Sequence, residues 1–331
     1  MTDNAPFSPS DLPLTNGKAY HLGLKPDELA KDIIIVGDPE RVPLISDEFF
    51  GAIEVDRSNR GLRTITGTVK DTGQRVSIVT SGMGTPSIEI VLNEIVALHE
   101  IDFHTMTRKA ECDMLTIIRV GTSGGIQPDT ELGTLIITDY VIGLDNTGLF
   151  YDVPYTDNLC TLLEEKVRAH IDSGIQNDSR FKGKIFPYAS QAHQDVIDAL
   201  AHEARALGIQ HKKGITVSNS GFFANQGRAV SRVRLTVPEL DGILASMDAG
   251  IAGLKIENME MEASFLLHFI GTLGYRAGVI CPVIDKRSEG AFMKNYTDIV
   301  KNAGYVALKA LHRLAAAFFI FIKFPEILKN I

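Results

Sequence analysis

The feature that most constrains the fold of this chain is an alternation between short β-branched runs and longer amphipathic segments. Six apolar runs have the length and composition of buried strands: residues 33–36, 76–80, 114–120, 134–138, 214–217 and 277–284. Five segments between and after them predict helices: residues 87–99, 159–171, 194–207, 261–272 and 297–319. The alternation predicts a single α/β domain with a mostly parallel or mixed, twisted central sheet and helices on both faces.

Glycine-rich turns follow the first three predicted strands. Residues 37–41 (GDPER) follow the first strand, residues 81–87 (SGMGTPS) follow the second, and residues 121–125 (GTSGG) follow the third. In an open α/β sheet, ligands bind beyond the carboxyl ends of the strands. We therefore expect these three turns to contribute to one binding site. By contrast, residues 127–133 read as an ordinary turn, and the polar residues 173–184 read as a surface insertion.

The glycine turns are accompanied by two arginines that suit an oxyanion. Glycine lets backbone N–H groups approach a ligand closely, and the guanidinium groups of Arg41 and Arg119 match phosphate oxygens in pairs. Arg119 lies within a strongly apolar strand, where a buried arginine needs a partner such as a bound anion. Arg41 could instead solvate the beginning of a helix. The sequences GxxxxGK[ST] and GxGxxG do not occur, which argues against ATPase and dinucleotide sites.

Two further groups of polar residues are candidates for binding a ligand. Glu260 and Glu262 are two residues apart, and carboxylates suit ribose hydroxyls because they accept two hydrogen bonds in a fixed geometry. The alternative is an acidic helix start favoured by the helix dipole. In residues 222–228, Phe222 offers an aromatic face, while Gln226 and Arg228 could read the edge of a planar heterocycle. The alternative for this segment is an ordinary exposed loop.

Charge and cysteine usage restrict the class of protein. The formal net charge of −8 argues against a general nucleic-acid binder, which needs a basic face. Cys112, Cys160 and Cys281 are far apart and odd in number, which suggests neither a disulfide framework nor a zinc site. We therefore expect a reducing compartment and a cytoplasmic protein.

The two ends of the chain differ from its body. Residues 1–19 begin with a polar, proline-containing stretch that lacks the apolar run of a signal peptide, and we predict an N-terminal extension there. Residues 315–322 (AAAFFIFI) are apolar but too short to span a bilayer. We interpret residues 315–331 as an apolar tail that packs on the body or in a subunit interface. A membrane-surface anchor is the alternative.

Seven segments resemble, in the same order, the signature segments of the nucleoside phosphorylase family, and most closely its uridine-cleaving members. They are residues 20–24, 37–41, 60–62, 81–87, 118–125, 222–228 and 258–262. The match extends from about Tyr20 to Leu314, so we predict a nucleoside phosphorylase domain over residues 20–314. The resemblance also implies that the central sheet is partly barrel-like.

The resemblance implies roles for individual positions. The phosphate-binding positions of the family match Gly37, Arg41, Arg60, Arg119 and Thr122, of which Arg60 would serve the site of a neighbouring subunit. The ribose-binding positions match His21, Glu260, Met261 and Glu262, of which His21 would reach across the same dimer interface. The base-binding positions match Phe222, Gln226, Arg228 and Arg287.

The reaction that the resemblance implies is the reversible phosphorolysis of uridine to uracil and ribose 1-phosphate, in pyrimidine salvage. Deoxyuridine and thymidine are further candidate substrates, and the catalytic roles fall on Arg119, Glu262 and Arg228. Inorganic phosphate is a co-substrate, and no cofactor or metal is expected. The expected partners are nucleoside and phosphate, not nucleic acid or membrane. The family further implies a homodimer-based oligomer, either a dimer or a hexamer.

Three positions depart from the family pattern. Gly61 stands where bacterial uridine enzymes often have a glutamate that helps to bind a monovalent cation, so this ion is not predicted. Residues 284–287 (IDKR) are more polar than the usual segment. Purine nucleoside phosphorylases place a catalytic aspartate at the position of Lys286, one residue after Asp285. Asp285 could serve if the loop shifts, which keeps a purine nucleoside phosphorylase as an alternative.

A nucleosidase and a non-catalytic nucleoside-binding protein of the same fold are two further candidates. The full set of arginines argues against a nucleosidase, because water needs no such site. The filled ligand-facing positions argue against a protein without activity.

Overall fold

The structure is a computed structural model that describes residues 5–155 and 157–327, with side chains up to residue 316. Twelve strands of the described part form one large sheet. In chain order they are β1 (Asp32–Val36), β2 (Phe50–Asn59), β3 (Leu62–Val69), β4 (Arg75–Thr80), β5 (Thr116–Val120), β6 (Ser123–Gly125), β7 (Leu135–Leu144), β8 (Tyr188–Gln191), β9 (His211–Asn219), β10 (Ile256–Glu260), β11 (Arg276–Lys286) and β12 (Ala291–Phe292).

The sheet combines a barrel-like ring with an open parallel wing. Its strands lie in the order β8-β7-β9-β10-β6-β11-β5-β1-β4-β3-β2, and β12 pairs with β11. An additional antiparallel pairing between β7 and β11 closes β7, β9, β10, β6 and β11 into a five-stranded ring. The parallel strands β5, β1 and β4 extend from this ring, and the antiparallel strands β3 and β2 form the outer edge. The predicted α/β class with a partly barrel-like sheet is confirmed.

Helices cover the sheet in separate groups. They are α1 (Arg41–Phe49), α2 (Thr85–Glu100), α3 (Asn158–Gly174), α4 (Gln194–Ala206), α5 (Leu240–Ala245), α6 (Ala263–Thr272) and α7 (Thr297–Ile327). Helix α7 packs against α4, α1 and the strands β1, β5 and β11, whereas α6 packs against α2 and the strands β7, β8 and β11. Strand β1 is buried at every position, as expected of a parallel strand that helices cover on both faces.

Element boundaries differ from the sequence predictions where polar residues continue a strand or form a corner. The strand predicted at residues 134–138 continues to Leu144. The helix predicted from residue 261 begins at Ala263, because strand β10 runs to Glu260 and leaves a short corner. The β2–β3 hairpin was not predicted, since most residues of β2 are exposed and form no apolar run.

Side-chain contacts are described for the N-terminal segment and for only part of the C-terminal helix. Near the N-terminus, Leu12 packs against Ala97 and Ile101 at the end of α2, and the backbone N–H of Phe7 donates to the carbonyl of Met106 at 2.8 Å. Helix α7 runs to Ile327. The packing predicted for the tail at residues 315–331 depends on side chains, and from residue 317 onward these lie outside the described part. Within the described part, no helix combines the length and apolar character that crossing a membrane requires.

Candidate active site

The three glycine turns meet at one edge of the sheet. They follow β1, β4 and β5, which lie side by side in the order β5-β1-β4. A Cβ placed on Gly37 would lie 3.5 Å from the carbonyl oxygen of Gly82, so the first and second turns are in contact. Nη2 of Arg41 donates to Oγ1 of Thr122 at 3.3 Å, which joins the first turn to the third. The fold therefore brings the three glycine turns together, with Gly37, Arg41 and Thr122 at the same edge.

Arg119 is the buried centre of this edge, with 3% of its surface exposed. Its Nε donates to Glu260 at 3.0 Å and its Nη2 donates to Glu262. Its Nη1 is buried and has no hydrogen-bond partner among the residues that the structure describes. A buried charged donor without a partner is costly, and an anion at this position would satisfy it. Gly121 leaves room for the guanidinium group itself, since a Cβ there would lie 2.9 Å from Nη2.

Burial and the two carboxylates have opposite effects on the charge of Arg119. Burial alone would lower the pKa of Arg119, but Glu262 and Glu260 raise it above its ordinary value, so the guanidinium remains charged. Burial raises the pKa of Glu262 above its ordinary value of 4.5, and Arg119 opposes that shift. Arg119 therefore stays charged, whereas burial makes the charged form of Glu262 less favourable than it is in water.

Glu260 and Glu262 occupy the corner between β10 and α6 and have different tasks there. Glu260 accepts the backbone N–H groups of Glu262 at 2.8 Å and Ala263 at 3.0 Å, and it also accepts the hydroxyl of Ser218. Glu262 accepts the N–H of Gly84, in the second glycine turn, at 2.5 Å. Glu260 thus braces the corner, while Glu262 links Arg119 to a glycine turn.

Met261, the third residue predicted at the ribose, lies in the same corner. A Cβ placed on Gly84 would lie 3.8 Å from its Cε. The three ribose candidates of this segment are therefore adjacent to the anion edge.

The predicted base-reading loop is tied together around Arg228. Its Cζ lies 4.1 Å from the ring centroid of Phe222, and its Nη1 donates to the carbonyl of Phe222 at 2.8 Å and to Oε1 of Gln226. Arg287 donates to the carbonyl oxygen of Gln226 and, at 3.1 Å, to that of Gly227. The four predicted base residues therefore form one connected group.

Asp285 and Lys286 point in opposite directions, as neighbours on a strand do. Oδ2 of Asp285 accepts from Nη2 of Arg228 at 2.7 Å, so its carboxylate belongs to the base loop. Nζ of Lys286 donates to the carbonyl of Pro128 at 2.7 Å and lies 2.5 Å from Glu289. The position at which purine enzymes carry their aspartate thus faces away from the loop, and Asp285 faces it.

His21 and Arg60 form a separate group at the outer part of the sheet. Nδ1 of His21 lies 2.7 Å from Oε1 of Glu94. Arg60 is exposed in the turn between β2 and β3, where its Nη1 donates to the hydroxyl of Tyr20 at 3.2 Å. Among the described residues, no hydrogen bond or ion pair connects this group to Arg41 or Arg119. Within one chain, the structure does not unite these two residues with the anion edge.

Two bracing residues were not singled out in the sequence. Ser218 donates to Glu260, and Glu94 accepts from His21 and from the N–H of Leu22 at 2.7 Å. Ser218 follows directly after the predicted strand at residues 214–217, so its place at a strand end was an available signal. Glu94 lies in the middle of a helix, and no local pattern distinguishes it from a solvated glutamate.

Cavities of the described part do not all coincide with this site. One of about 330 Å³ lies beside Arg41 and is lined by Lys294 and Tyr296, and the Tyr296 ring centroid is 5.8 Å from the Cζ of Arg41. Another of about 630 Å³ lies between β8 and α6, beside Tyr188 and His268. None of the predicted site residues lines that larger cavity, so the chemistry of the contacts, rather than cavity size, locates the site.

Comparison with known proteins identifies the family of this chain. The sequence profile of the phosphorylase superfamily matches residues 31–319. The uridine phosphorylase of Thermococcus kodakarensis is 31% identical over 314 residues, which cover 93% of this chain and 91% of that protein. A DeoD-type purine nucleoside phosphorylase of Roseobacter denitrificans is 27% identical over 82% of this chain and 88% of that protein.

One solved structure is similar to this chain in both fold and sequence. It is the nucleoside phosphorylase of Trypanosoma brucei, which is described as showing uridine phosphorylase activity. It superimposes with a TM-score of 0.80 at 32% identity, over 91% of this chain and 99% of that chain. The chain therefore belongs to the phosphorylase superfamily, within its nucleoside phosphorylases.

Proposed function

We propose that this protein is a uridine phosphorylase, which converts uridine and inorganic phosphate into uracil and ribose 1-phosphate, and catalyses the reverse reaction. The observation that carries the proposal is Arg119, a buried guanidinium held by two carboxylates with its Nη1 unpaired among the described residues. Such a group suits a phosphate that must be fixed and partly dehydrated before it reacts. The relatives named above that cleave uridine support the choice of nucleoside.

In the proposed reaction, a phosphate oxygen forms a bond to the anomeric carbon of the ribose while the glycosidic C–N bond breaks. The bonding electron pair leaves with the base, which takes up a proton afterwards. Arg119 and Arg41 hold the phosphate, and Glu262 accepts hydrogen bonds from ribose hydroxyls. Gln226 and Arg228 contact the base, where negative charge develops in the transition state. Fixed groups at these places stabilise the transition state more than the ground state.

The proposed site is completed by a second copy of the chain. Arg60 and His21 lie together, with Arg60 exposed, and both are separate from the anion edge of their own chain. We assign Arg60 to the phosphate and His21 to the ribose of a neighbouring subunit, within a dimer or a hexamer built of dimers. A monomeric form of the protein is then expected to be inactive.

Purine nucleoside phosphorylase is the second candidate function. It is favoured by the carboxylate of Asp285, which faces the base loop and contacts Arg228 at 2.7 Å. A carboxyl group in that place could serve a purine ring, and DeoD-type purine enzymes are among the relatives.

A substrate panel tests both candidates. The purified protein is incubated with uridine, deoxyuridine, thymidine and inosine, with and without phosphate, and the products are separated by chromatography. We expect phosphate-dependent release of uracil together with ribose 1-phosphate. Free ribose in place of ribose 1-phosphate contradicts phosphorolysis, and faster cleavage of inosine than of uridine supports the purine enzyme instead.

A further inference from the structure

Asp285 is a charged group at the base end to which the proposed reaction gives no task. Its Oδ2 lies 2.7 Å from Nη2 of Arg228, and 17% and 16% of the two side chains are exposed. An ion pair with so little exposure is screened by water less than a surface pair. The ion pair is therefore a specific contact between the loop and β11.

The contacts of Arg228 show what Asp285 contributes. Nη1 donates to the carbonyl of Phe222 and to Oε1 of Gln226, and both acceptors belong to the same loop as Arg228 itself. These two bonds move with the loop and cannot fix it. Asp285, in contrast, lies in β11, which pairs with β5, β6 and β7 in the sheet. Its bond is the one among these three that ties the guanidinium to the sheet.

The same contacts decide which donors remain for a ligand. An arginine has five N–H groups, and the bonds to Phe222, Gln226 and Asp285 use three of them. Two N–H groups, one on Nη2 and one on Nε, are left by these bonds. Their direction is set once Nη2 is fixed by Asp285, because the guanidinium is planar and rigid.

A glycine on the neighbouring strand makes room for the carboxylate. Gly124 pairs with Asp285 in the register of β6 and β11. A Cβ placed on Gly124 would lie 2.7 Å from Oδ1 of Asp285, which is closer than such atoms approach. An alanine at position 124 would therefore displace the flexible carboxylate. This contact links the third glycine turn to the base loop through Asp285.

We propose that Asp285 is a positioning residue for recognition of the base, seated by Gly124. It holds the guanidinium of Arg228 so that the remaining N–H groups face a carbonyl oxygen of a neutral heterocyclic base. This inference rests on the proposed function, because it concerns the base that the same site takes. It differs from an acid role, since the carboxylate acts through Arg228 and does not give a proton to the base.

The test compares Asp285→Ala, Asp285→Asn and Gly124→Ala with the parent protein. Steady-state kinetics are measured with uridine at saturating phosphate and with phosphate at saturating uridine, and calorimetry measures uridine binding. In Asp285→Ala we expect the KM for uridine to rise about tenfold, while the KM for phosphate changes less than twofold. Asp285→Asn keeps an oxygen acceptor and is expected to lie between this variant and the parent. Gly124→Ala should shift the uridine KM in the same direction.

Asp178→Ala is the control, because Asp178 forms an exposed pair with Arg234 at 3.2 Å, and its kinetics should equal those of the parent. If Asp285→Ala has the same KM and the same affinity for uridine as the parent, the inference is overturned. Loss of turnover in Asp285→Asn with unchanged uridine binding overturns it too, because that result indicates an acid. A parent that cleaves no nucleoside contradicts the proposed function instead, and the calorimetric comparison then still decides the role of Asp285.

Discussion

The anion edge and the base loop are built in opposite ways, although both are lined by arginines. Arg119 lies in β5, is nearly fully buried and is held by two carboxylates at a corner of the core. Arg228 lies in a loop whose Phe222 is 48% exposed. Asp285 in β11 and Arg287, directly after β11, hold this loop.

The difference indicates which part of the site is fixed before a ligand binds. Removing a group from the anion edge leaves buried charges unpaired, so activity and stability should fall together. Removing a group from the base loop frees a surface segment, so recognition should weaken while the fold persists. The following experiments test this contrast.

The largest effect is expected for Arg119→Ala. Phosphate-dependent cleavage should fall by about 10³-fold, because a buried donor of the site is lost. The free energy of unfolding, measured by urea denaturation, should fall by about 3–5 kcal/mol, because Glu260 and Glu262 remain buried without their partner. The added substitution Glu262→Gln should restore part of the stability but not the activity. Arg63→Ala, which removes an exposed pair with Asp56, serves as the control, and an equal loss of stability there contradicts the contrast.

A smaller and more selective effect is expected for Arg287→Ala. The carbonyl groups of Gln226 and Gly227 lose their donor, so the loop becomes mobile. The KM for uridine should therefore rise about tenfold, which corresponds to about 1.4 kcal/mol of binding free energy. The KM for phosphate and the melting temperature should remain close to those of the parent. Limited proteolysis should cut the variant faster within residues 222–228. If the KM for phosphate rises as much as the KM for uridine, the anion edge and the base loop form one rigid unit instead.

The pH dependence of stability tests the burial of Glu262. Its pKa is raised in the folded protein, so the folded state binds a proton more tightly than the unfolded state. The resulting stability is fully present below about pH 4.5, the ordinary value, and is lost as the pH rises through the folded-state pKa. Melting temperatures of the parent and of Glu262→Gln, measured from pH 4 to pH 8, should therefore show the parent losing stability relative to the variant. Parallel curves exclude this shift.

The smallest effect is expected at Tyr296, whose ring lies near Arg41 at the rim of the anion edge. A cation–π contact at such a place contributes about 0.5–1 kcal/mol. Tyr296→Leu should therefore raise the KM for phosphate about two- to fivefold and leave the KM for uridine unchanged. Tyr296→Phe keeps the ring and should behave as the parent does. Equal effects of both substitutions indicate that the hydroxyl, not the ring, is responsible.

Local sequence patterns predicted the buried framework well. The parallel strands are short runs of β-branched residues because helices cover both of their faces, and this leaves a strong local signal. The hairpin of β2 and β3 left no such signal, because most of β2 faces solvent. Strand β10 was not predicted either, because residues 256–260 (IENME) form no apolar run, and its pairing with β9 places the corner that holds Glu260 and Glu262.

The sequence by itself determined the residue types of the site: arginines beside glycine turns, paired carboxylates, and an aromatic loop with an amide and a guanidinium. It also determined that strand ends would carry the turns, because alternation of elements fixes the direction of parallel strands. Only the tertiary structure decided that Glu260 and Glu262 both bind Arg119. It also decided that Asp285, and not Lys286, faces the base loop. These contacts join residues that are far apart in the chain, and their geometry follows from strand register and burial, which no local pattern specifies.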